Sequence, residues 1–169
     1  MMIQRIFLRN AVEQVLHVQG NYRGGILEMA MVFDCNLPLD TVKPLAQETV
    51  SALKQQGEIF RNVRLNTIQW KADGVLEKAV TAMPFIQTGS FFSEYEQRME
   101  KKRAELLLEQ LKKFYARSKL ILILTDGNYR IEDEKLLQES LKPFLGKKIV
   151  FLYADTEANT VEISRALKN

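Results

Sequence analysis

Side chains that carry oxygen lie at the ends of two apolar runs and in one further loop. Asp34 ends the first run and is followed by Asn36, Asp126 follows the second run, and Thr88 and Ser90 lie in a glycine-containing stretch between them. Hard cations such as Mg²⁺ prefer an octahedron of oxygen ligands, of which the protein commonly supplies only one or two carboxylates. These residue types therefore suit a site for such an ion.

A second interpretation of the same carboxylates involves no ligand. Asp side chains routinely accept hydrogen bonds from backbone amides two residues further along the chain, and this stabilises a turn. Asp34 is followed by the loop 35–40, and Asp126 by Gly127 and Asn128. Both carboxylates can therefore cap turns, and the residues alone leave the two interpretations open.

Continuous apolar runs over 26–34, 120–125 and 148–153 predict buried parallel strands. In an open parallel sheet, ligands bind where the carboxyl ends of neighbouring central strands diverge. We therefore expect the first two of these strands to be neighbours and to bring Asp34 and Asp126 to one edge of the sheet.

The rest of the chain alternates between helical and extended patterns. A strand is predicted over 62–70, and helices over 39–56, 75–83, 93–116, 133–145 and 160–168. This alternation predicts an α/β fold in which a three-layer, doubly wound and mostly parallel sheet carries helices on both faces. Residues 26–169 are expected to form this single domain.

An N-terminal extension is predicted over residues 1–25. Apolar residues recur about every four positions over 1–20, which favours an amphipathic helix, and a short strand over 15–18 is the competing interpretation.

The predicted long helix over 93–116 carries basic residues at positions 98 and 101–103. They alternate with glutamates at spacings of three and four, so that the charges neutralise one another on a solvated helix face. With 24 basic and 21 acidic residues, the chain has a formal charge of only +3. Neither feature indicates a nucleic-acid interface.

Composition indicates a soluble globular protein. The chain has 169 residues, of which 46% are hydrophobic and 27% charged, and this suits one domain. A single cysteine, Cys35, excludes an intramolecular disulfide and a thiolate-rich zinc site. No stretch has the pattern of a secretory signal or a membrane span, so the expected location is the cytoplasm, away from membranes.

The loops at the predicted sheet edge resemble those of a von Willebrand factor type A (vWA) domain. That family has a DxSxS loop after its first strand, a threonine in a second loop and an aspartate after its fourth strand. Asp34 stands at the first aspartate, Asn36 at the first serine, Pro38 at the second serine, Thr88 at the threonine and Asp126 at the last aspartate. The resemblance extends from residue 26 to the C-terminus.

The resemblance implies a Rossmann-like fold and a metal-ion-dependent adhesion site. A divalent ion, magnesium or manganese, would be held by Asp34, Asn36, Thr88 and Asp126, and an acidic residue of a partner protein would complete its coordination. Pro38 offers no side-chain ligand, so the site is degenerate and a weaker metal affinity is expected.

Apolar residues in the same loops indicate a surface that binds another protein, because exposed apolar clusters mark interaction sites. The residues expected to contact the partner are Leu37, Pro38, Ser90, Phe91 and Tyr129. Leu39 and Phe92 lie in the same loops and either join this surface or pack beneath the following helices.

The strongest enzymatic alternative is a haloacid-dehalogenase-like or other magnesium-dependent phosphatase that uses Asp34 as its nucleophile. Such enzymes place a second aspartate two positions later as general acid, where this chain has Asn36. Catalysis by Cys35 would need a nearby base, and the only histidine is His17. The sequence therefore favours a non-enzymatic interaction module.

Overall fold

The structure is a computed structural model that describes residues 3–8, 10–11, 15, 27–55, 63–72, 74–77, 81–82, 92, 95–144, 149–155 and 160–165. The strands are β1 (Ile3–Phe7), β2 (Leu27–Asp34), β3 (Val63–Lys71), β4 (Gly74–Glu77), β5 (Thr81–Ala82), β6 (Lys102–Arg103), β7 (Leu120–Thr125), β8 (Tyr129–Arg130), β9 (Ile149–Asp155) and β10 (Thr160–Arg165). The helices whose bounds lie within the described residues are α1 (Leu39–Gln55), α2 (Ala104–Tyr115) and α3 (Glu134–Leu141), the last extended by a 3₁₀ turn over Lys142–Phe144.

Four parallel strands form the centre of the main sheet, in the spatial order β3, β2, β7 and β9. The strands outside them run antiparallel to their neighbours: β4 and β5 pair with β3, β10 pairs with β9, and β1 pairs with β10. A separate short parallel pair joins β6 to β8. The fold is therefore α/β with a mostly parallel core, as predicted.

Both faces of the central strands are buried. Alternate residues of a strand point to opposite faces, and Met29 lies in one apolar cluster with Leu45 of α1, whereas Ala30 lies in another with Leu108 of α2 and Leu137 of α3. A strand that is buried on both faces can be apolar at every position, which explains the unbroken apolar runs of the central strands. No helix among the described residues has the length and apolar character needed to cross a membrane.

The predicted strands over 26–34, 62–70, 120–125 and 148–153 and the helix over 39–56 are confirmed to within a few residues. The helix predicted over 133–145 is observed as α3 and its 3₁₀ turn. The strand that ends at Asp34 lies beside the strand that precedes Asp126, in parallel register, with Phe33 opposite Leu124. The predicted neighbour relationship is therefore confirmed.

The helix predicted over 75–83 is wrong, because β4 and β5 occupy its described part. Lys71 pairs with Gly74, so the chain reverses direction within two residues and β4 runs back along β3. The Asp-Gly sequence at 73–74 is a common signal for such a hairpin. A short apolar stretch fits a strand as well as a helix. Here the strand forms because its backbone can pair with the edge of β3.

The helix predicted over 160–168 is also wrong over its described part, because Thr160–Arg165 form β10. Val161 and Ile163 alternate with polar residues, which is the period of a strand. β10 pairs with β9 on one side and with β1 on the other. Ile3–Phe7, assigned from the sequence to an extension, thus contribute a strand to the main sheet, so the helix favoured over 1–20 is wrong at these residues. The described residues that follow, Leu8, Asn10, Ala11 and Val15, are helical.

Within the described part of the helix predicted over 93–116, only the second half is helical, because α2 begins at Ala104. Residues 95–101 form neither helix nor strand and precede the short strand β6. Salt bridges between side chains four residues apart add only about 0.3–0.5 kcal/mol each to a helix. Hydrogen bonds from residues 95–101 to the loop after β2 replace the helical ones, so tertiary contacts override the local pattern.

Candidate functional site

The candidate site lies at the carboxyl ends of β2 and β7, and its central group is the carboxylate of Asp34. The hydroxyl of Thr125, the last residue of β7, donates to Oδ2 of Asp34 over 2.6 Å. The backbone amide of Asn36 donates to Oδ1 over 2.9 Å, and the amide of Leu37 donates to the Asp34 carbonyl. Both carboxylate oxygens are thus bonded within the protein.

Asp126 reaches the same edge, as the sequence predicted. Its Oδ1 accepts a hydrogen bond from the amide of Asn128 over 2.9 Å, and Nδ2 of Asn36 lies 3.5 Å from the same oxygen. Asp34 and Asp126 therefore both make the turn-capping hydrogen bonds of the ligand-free interpretation.

The ammonium of Lys102, which was not predicted as part of the site, contacts the two predicted ligand oxygens. Its Nζ lies 2.5 Å from Oδ1 of Asp34 and 2.8 Å from Oδ1 of Asn36. It also lies 3.4 Å from the carbonyl of Glu100 and 5.2 Å from the centre of the Trp70 ring. The side chains of Lys102 and Asp34 are 1% and 0% exposed, respectively. Because residues 98–105 carry charges of both signs, as a solvated helix face does, nothing in the sequence distinguished this lysine from exposed ones.

Residues 95–101, which we call the covering segment, lie across the loop 34–37. The amide of Arg98 donates to the Cys35 carbonyl over 2.7 Å, and Nε2 of Gln97 donates to the Asn36 carbonyl over 3.0 Å. The hydroxyl of Tyr95 donates to the Leu37 carbonyl over 2.6 Å. Burial raises the pKa of this phenol, so it acts as a neutral hydrogen-bond donor.

Burial also raises the pKa of the Asp34 carboxyl, while the hydrogen bonds from Lys102, Thr125 and Asn36 oppose that rise. A buried carboxylate is stable only where partners satisfy its oxygens, and here an ammonium, a hydroxyl and an amide do so.

This arrangement does not fit the divalent ion that the vWA resemblance implies. Mg²⁺ needs free oxygen lone pairs at about 2.1 Å in octahedral geometry. Oδ1 of Asn36 already accepts hydrogen bonds from Lys102 and from the amide of Glu100, over 2.8 Å in each case. Within the described residues, no cluster of three or more His, Cys, Asp or Glu side chains is placed to hold a metal ion. Thr88 lies outside the described residues.

The residues predicted to contact a partner differ in their accessibility. Leu37 is only 2% exposed and packs in the core, so it is not available to a partner. Pro38 and Tyr129 are half-buried, and the Tyr129 hydroxyl pairs with that of Tyr153 at 2.8 Å. Ser90 and Phe91 lie outside the described residues.

Two other apolar side chains are exposed at this edge. Met99 of the covering segment is 69% exposed, and Leu39 at the start of α1 is 39% exposed. Phe92, predicted either to join the surface or to pack beneath a helix, is partly buried against Phe33, with ring centres 5.0 Å apart.

Cys35 is buried beside the site. Burial raises the pKa of its thiol to about 11, which keeps it protonated at neutral pH. Its Sγ lies 3.9 Å from the Phe33 carbonyl. His17 lies outside the described residues, and no histidine is placed beside this thiol among the residues that are described.

The sequence matches no protein-family model, and a search of curated proteins found no match.

Proposed function

We propose that this chain is a non-enzymatic protein-interaction module with a vWA-like, three-layer doubly wound fold. A partner protein binds at the carboxyl edge of the parallel strands, on the surface formed by loop 35–39, the covering segment and the turn 126–129. The strand order and the two buried faces of the sheet support this fold, and the edge is where open α/β sheets bind ligands.

The observation that carries the proposal is the covering segment. Hydrogen bonds from Tyr95, Gln97 and Arg98 hold this irregular segment against the loop after β2. It presents Met99, an exposed apolar side chain, on a part of the backbone that these bonds fix in place. A preorganised apolar contact lowers the entropic cost of binding, because the segment is ordered before the partner arrives.

The buried state of Asp34 argues against a phosphatase. A nucleophilic carboxylate must reach the phosphorus atom of its substrate, but this side chain is 0% exposed and both oxygens are bonded within the protein. Asn36, two positions later, has no ionisable proton and so is no general acid.

The same contacts favour docking without a metal. In the vWA family an acidic residue of the partner completes the coordination of the bound ion. Here the ammonium of Lys102 contacts the oxygens of Asp34 and Asn36, and it is itself 1% exposed. We therefore expect partner binding to depend on apolar and hydrogen-bond contacts around Met99 and to persist in EDTA.

The test uses a photo-crosslinking amino acid placed at position 99 of the full chain in its native cells. The control position is 114, because Phe114 is 63% exposed on α2. The chain after α2 lies at the start of β2, where the amide of Lys119 donates to the Glu28 carbonyl, so Phe114 is near the opposite edge. A discrete partner crosslinked from position 99 and not from 114 is the expected result.

Binding of the identified partner is then measured with purified proteins. Met99→Asp should weaken binding by tenfold or more, because a charge would replace an apolar contact. Phe114→Asp should leave the affinity unchanged, as should EDTA. Crosslinking from position 114 alone, or equal loss of affinity in both variants, would contradict the proposed surface.

A further inference from the structure

The ammonium of Lys102 has the contacts of a bound cation. An ammonium carries three protons and no acceptor, so it needs three acceptors when it is buried. Oδ1 of Asp34, Oδ1 of Asn36 and the carbonyl of Glu100 supply them. The face of Trp70 adds a favourable cation–π contact with its ring centre at 5.2 Å. The charge is thus neutralised by one carboxylate and satisfied by neutral oxygens.

A divalent ion and this ammonium exclude each other. An ion bound to the oxygens of Asp34 and Asn36 would sit about 2.1 Å from each. The ammonium nitrogen already lies 2.5 Å and 2.8 Å from the same oxygens, so both cations would occupy one space. Their mutual repulsion at such a separation, in a site closed to water, adds to the steric conflict.

We propose that Lys102 is a tethered cation, which takes the place of a divalent ion and holds the carboxyl edge of the sheet together without any metal. The disagreement with the ion implied by the vWA resemblance thus has a physical cause, which is that the chain supplies the positive charge itself.

The tether joins three parts of the edge. Asp34 ends β2, Asn36 belongs to the loop after it, and Lys102 begins β6. Lys102 pairs in turn with Tyr129 of β8, which follows the turn at Asp126. The ammonium therefore links the loop after β2 to the covering segment and to the strand after β7. The tether holds the edge whether or not a partner docks there.

The first experiment measures thermal unfolding of the wild-type chain in EDTA, Mg²⁺ and Mn²⁺ at matched ionic strength. Since the oxygens are already taken, the expected shift in Tm between these conditions is below about 1 °C. A saturable rise in Tm with either ion, lost in Asp34→Asn, would show a working metal site and overturn the proposal.

The second experiment removes the tether. Lys102→Ala should lower Tm by about 10 °C, because it leaves a buried carboxylate unpaired. Lys101→Ala, the same change at the exposed neighbouring lysine, is the matched control and should lower Tm by no more than about 2 °C. Similar Tm values for the two variants would overturn the proposal.

Rescue by a free cation distinguishes a cation site from ordinary packing. Propylammonium restores the atoms that Lys102→Ala removes, so it should raise the Tm of this variant by several degrees in a saturable manner. Tetramethylammonium, which has the same charge and no N–H donor, should not. Equal effects of the two cations would mean that the N–H donors of the ammonium contribute nothing, which contradicts the proposal.

A double variant keeps the test decisive if Lys102→Ala does not fold. Lys102→Met retains the volume of the side chain, and adding Asp34→Asn removes the carboxylate that it leaves unpaired. We expect Asp34→Asn to lower Tm in the wild-type background and to raise it in the Lys102→Met background. A decrease of the same size in both backgrounds would show that the two side chains are not coupled.

Discussion

The hydroxyl of Thr125 lies 2.6 Å from Oδ2 of Asp34, and this hydrogen bond joins the carboxyl ends of the two central strands. Oγ1 of Thr125 in turn accepts a hydrogen bond from the backbone amide of Gly127 over 3.1 Å. One buried hydroxyl therefore satisfies a carboxylate on one strand and orients the turn that follows the other.

Thr125→Val removes the hydroxyl while keeping the shape of the side chain. We expect a loss of about 2 kcal/mol in the free energy of unfolding, because Asp34 loses a donor and Gly127 an acceptor. Thr49→Val is the matched control, since Thr49 is also fully buried but only donates to the Leu45 carbonyl within α1. Urea denaturation of both variants measures the difference. Equal losses would mean that the Thr125 hydroxyl has no special role.

The lowered pKa of the Glu105 carboxyl predicts a specific loss of stability in acid. Burial alone would raise the pKa of this carboxyl, but hydrogen bonds from backbone amides, including those of Asp133 and Glu132, and from Arg103 lower it below its usual value of 4.5. A carboxyl with a lowered folded-state pKa contributes stability above its unfolded pKa, and that contribution disappears as the pH falls through the folded value. We therefore expect the contribution of Glu105 to be lost below about pH 4.5.

Glu105→Gln should cost about 2 kcal/mol at pH 7 and progressively less as the pH falls below 4.5, because protonation makes the wild-type group neutral as well. Urea midpoints at pH 7, 5, 4 and 3 measure this convergence. Glu109→Gln removes the same charge from an exposed position of α2 and serves as the control. A constant difference between wild type and Glu105→Gln at every pH would contradict the assignment.

Cys35 should be chemically inert in the folded protein. The thiolate is the reactive form, and burial raises the pKa of this thiol to about 11, with the side chain 1% exposed. We expect no reaction with a disulfide reagent such as DTNB at pH 8 over an hour, and one thiol per chain to react once urea unfolds the protein. Rapid labelling of the native chain would show that the loop after β2 opens readily.

Gly127 occupies a position that disfavours side chains. Its φ is +80°, and a Cβ there would lie 3.2 Å from Cδ1 of Tyr153. We expect Gly127→Ala to lower the free energy of unfolding by about 1–2 kcal/mol. Asn128→Ala, at the exposed next residue, should change it by less than about 0.5 kcal/mol. Chemical denaturation of the two variants measures their free energies of unfolding. Equal losses would mean that the turn accommodates a side chain at position 127 without strain.

The central strands could be predicted from the sequence because burial on both faces requires continuous apolar runs. Leu120–Thr125 and the strand that ends at Asp34 follow this rule, and parallel strands with intervening helices bring their carboxyl ends to one edge. The approach of Asp34 and Asp126 was predictable on the same grounds. The outer strands β4 and β10 were not predictable, because a short run of residues fits the period of a helix as well as that of a strand. Pairing with the neighbouring strand, which the sequence does not show, makes them strands.

The sequence by itself therefore determined which residues are buried in the central sheet and which edge gathers its polar side chains. Only the tertiary structure decided what fills that edge, because residues 95–103 carry a helical charge pattern that local rules cannot tell from a solvated helix. Their backbone hydrogen bonds to the loop after β2 outweigh that weak preference, and as a result one lysine among several neighbours is placed beside Asp34. A contact between residues 68 positions apart is a property of the folded chain, so no local pattern could have revealed it.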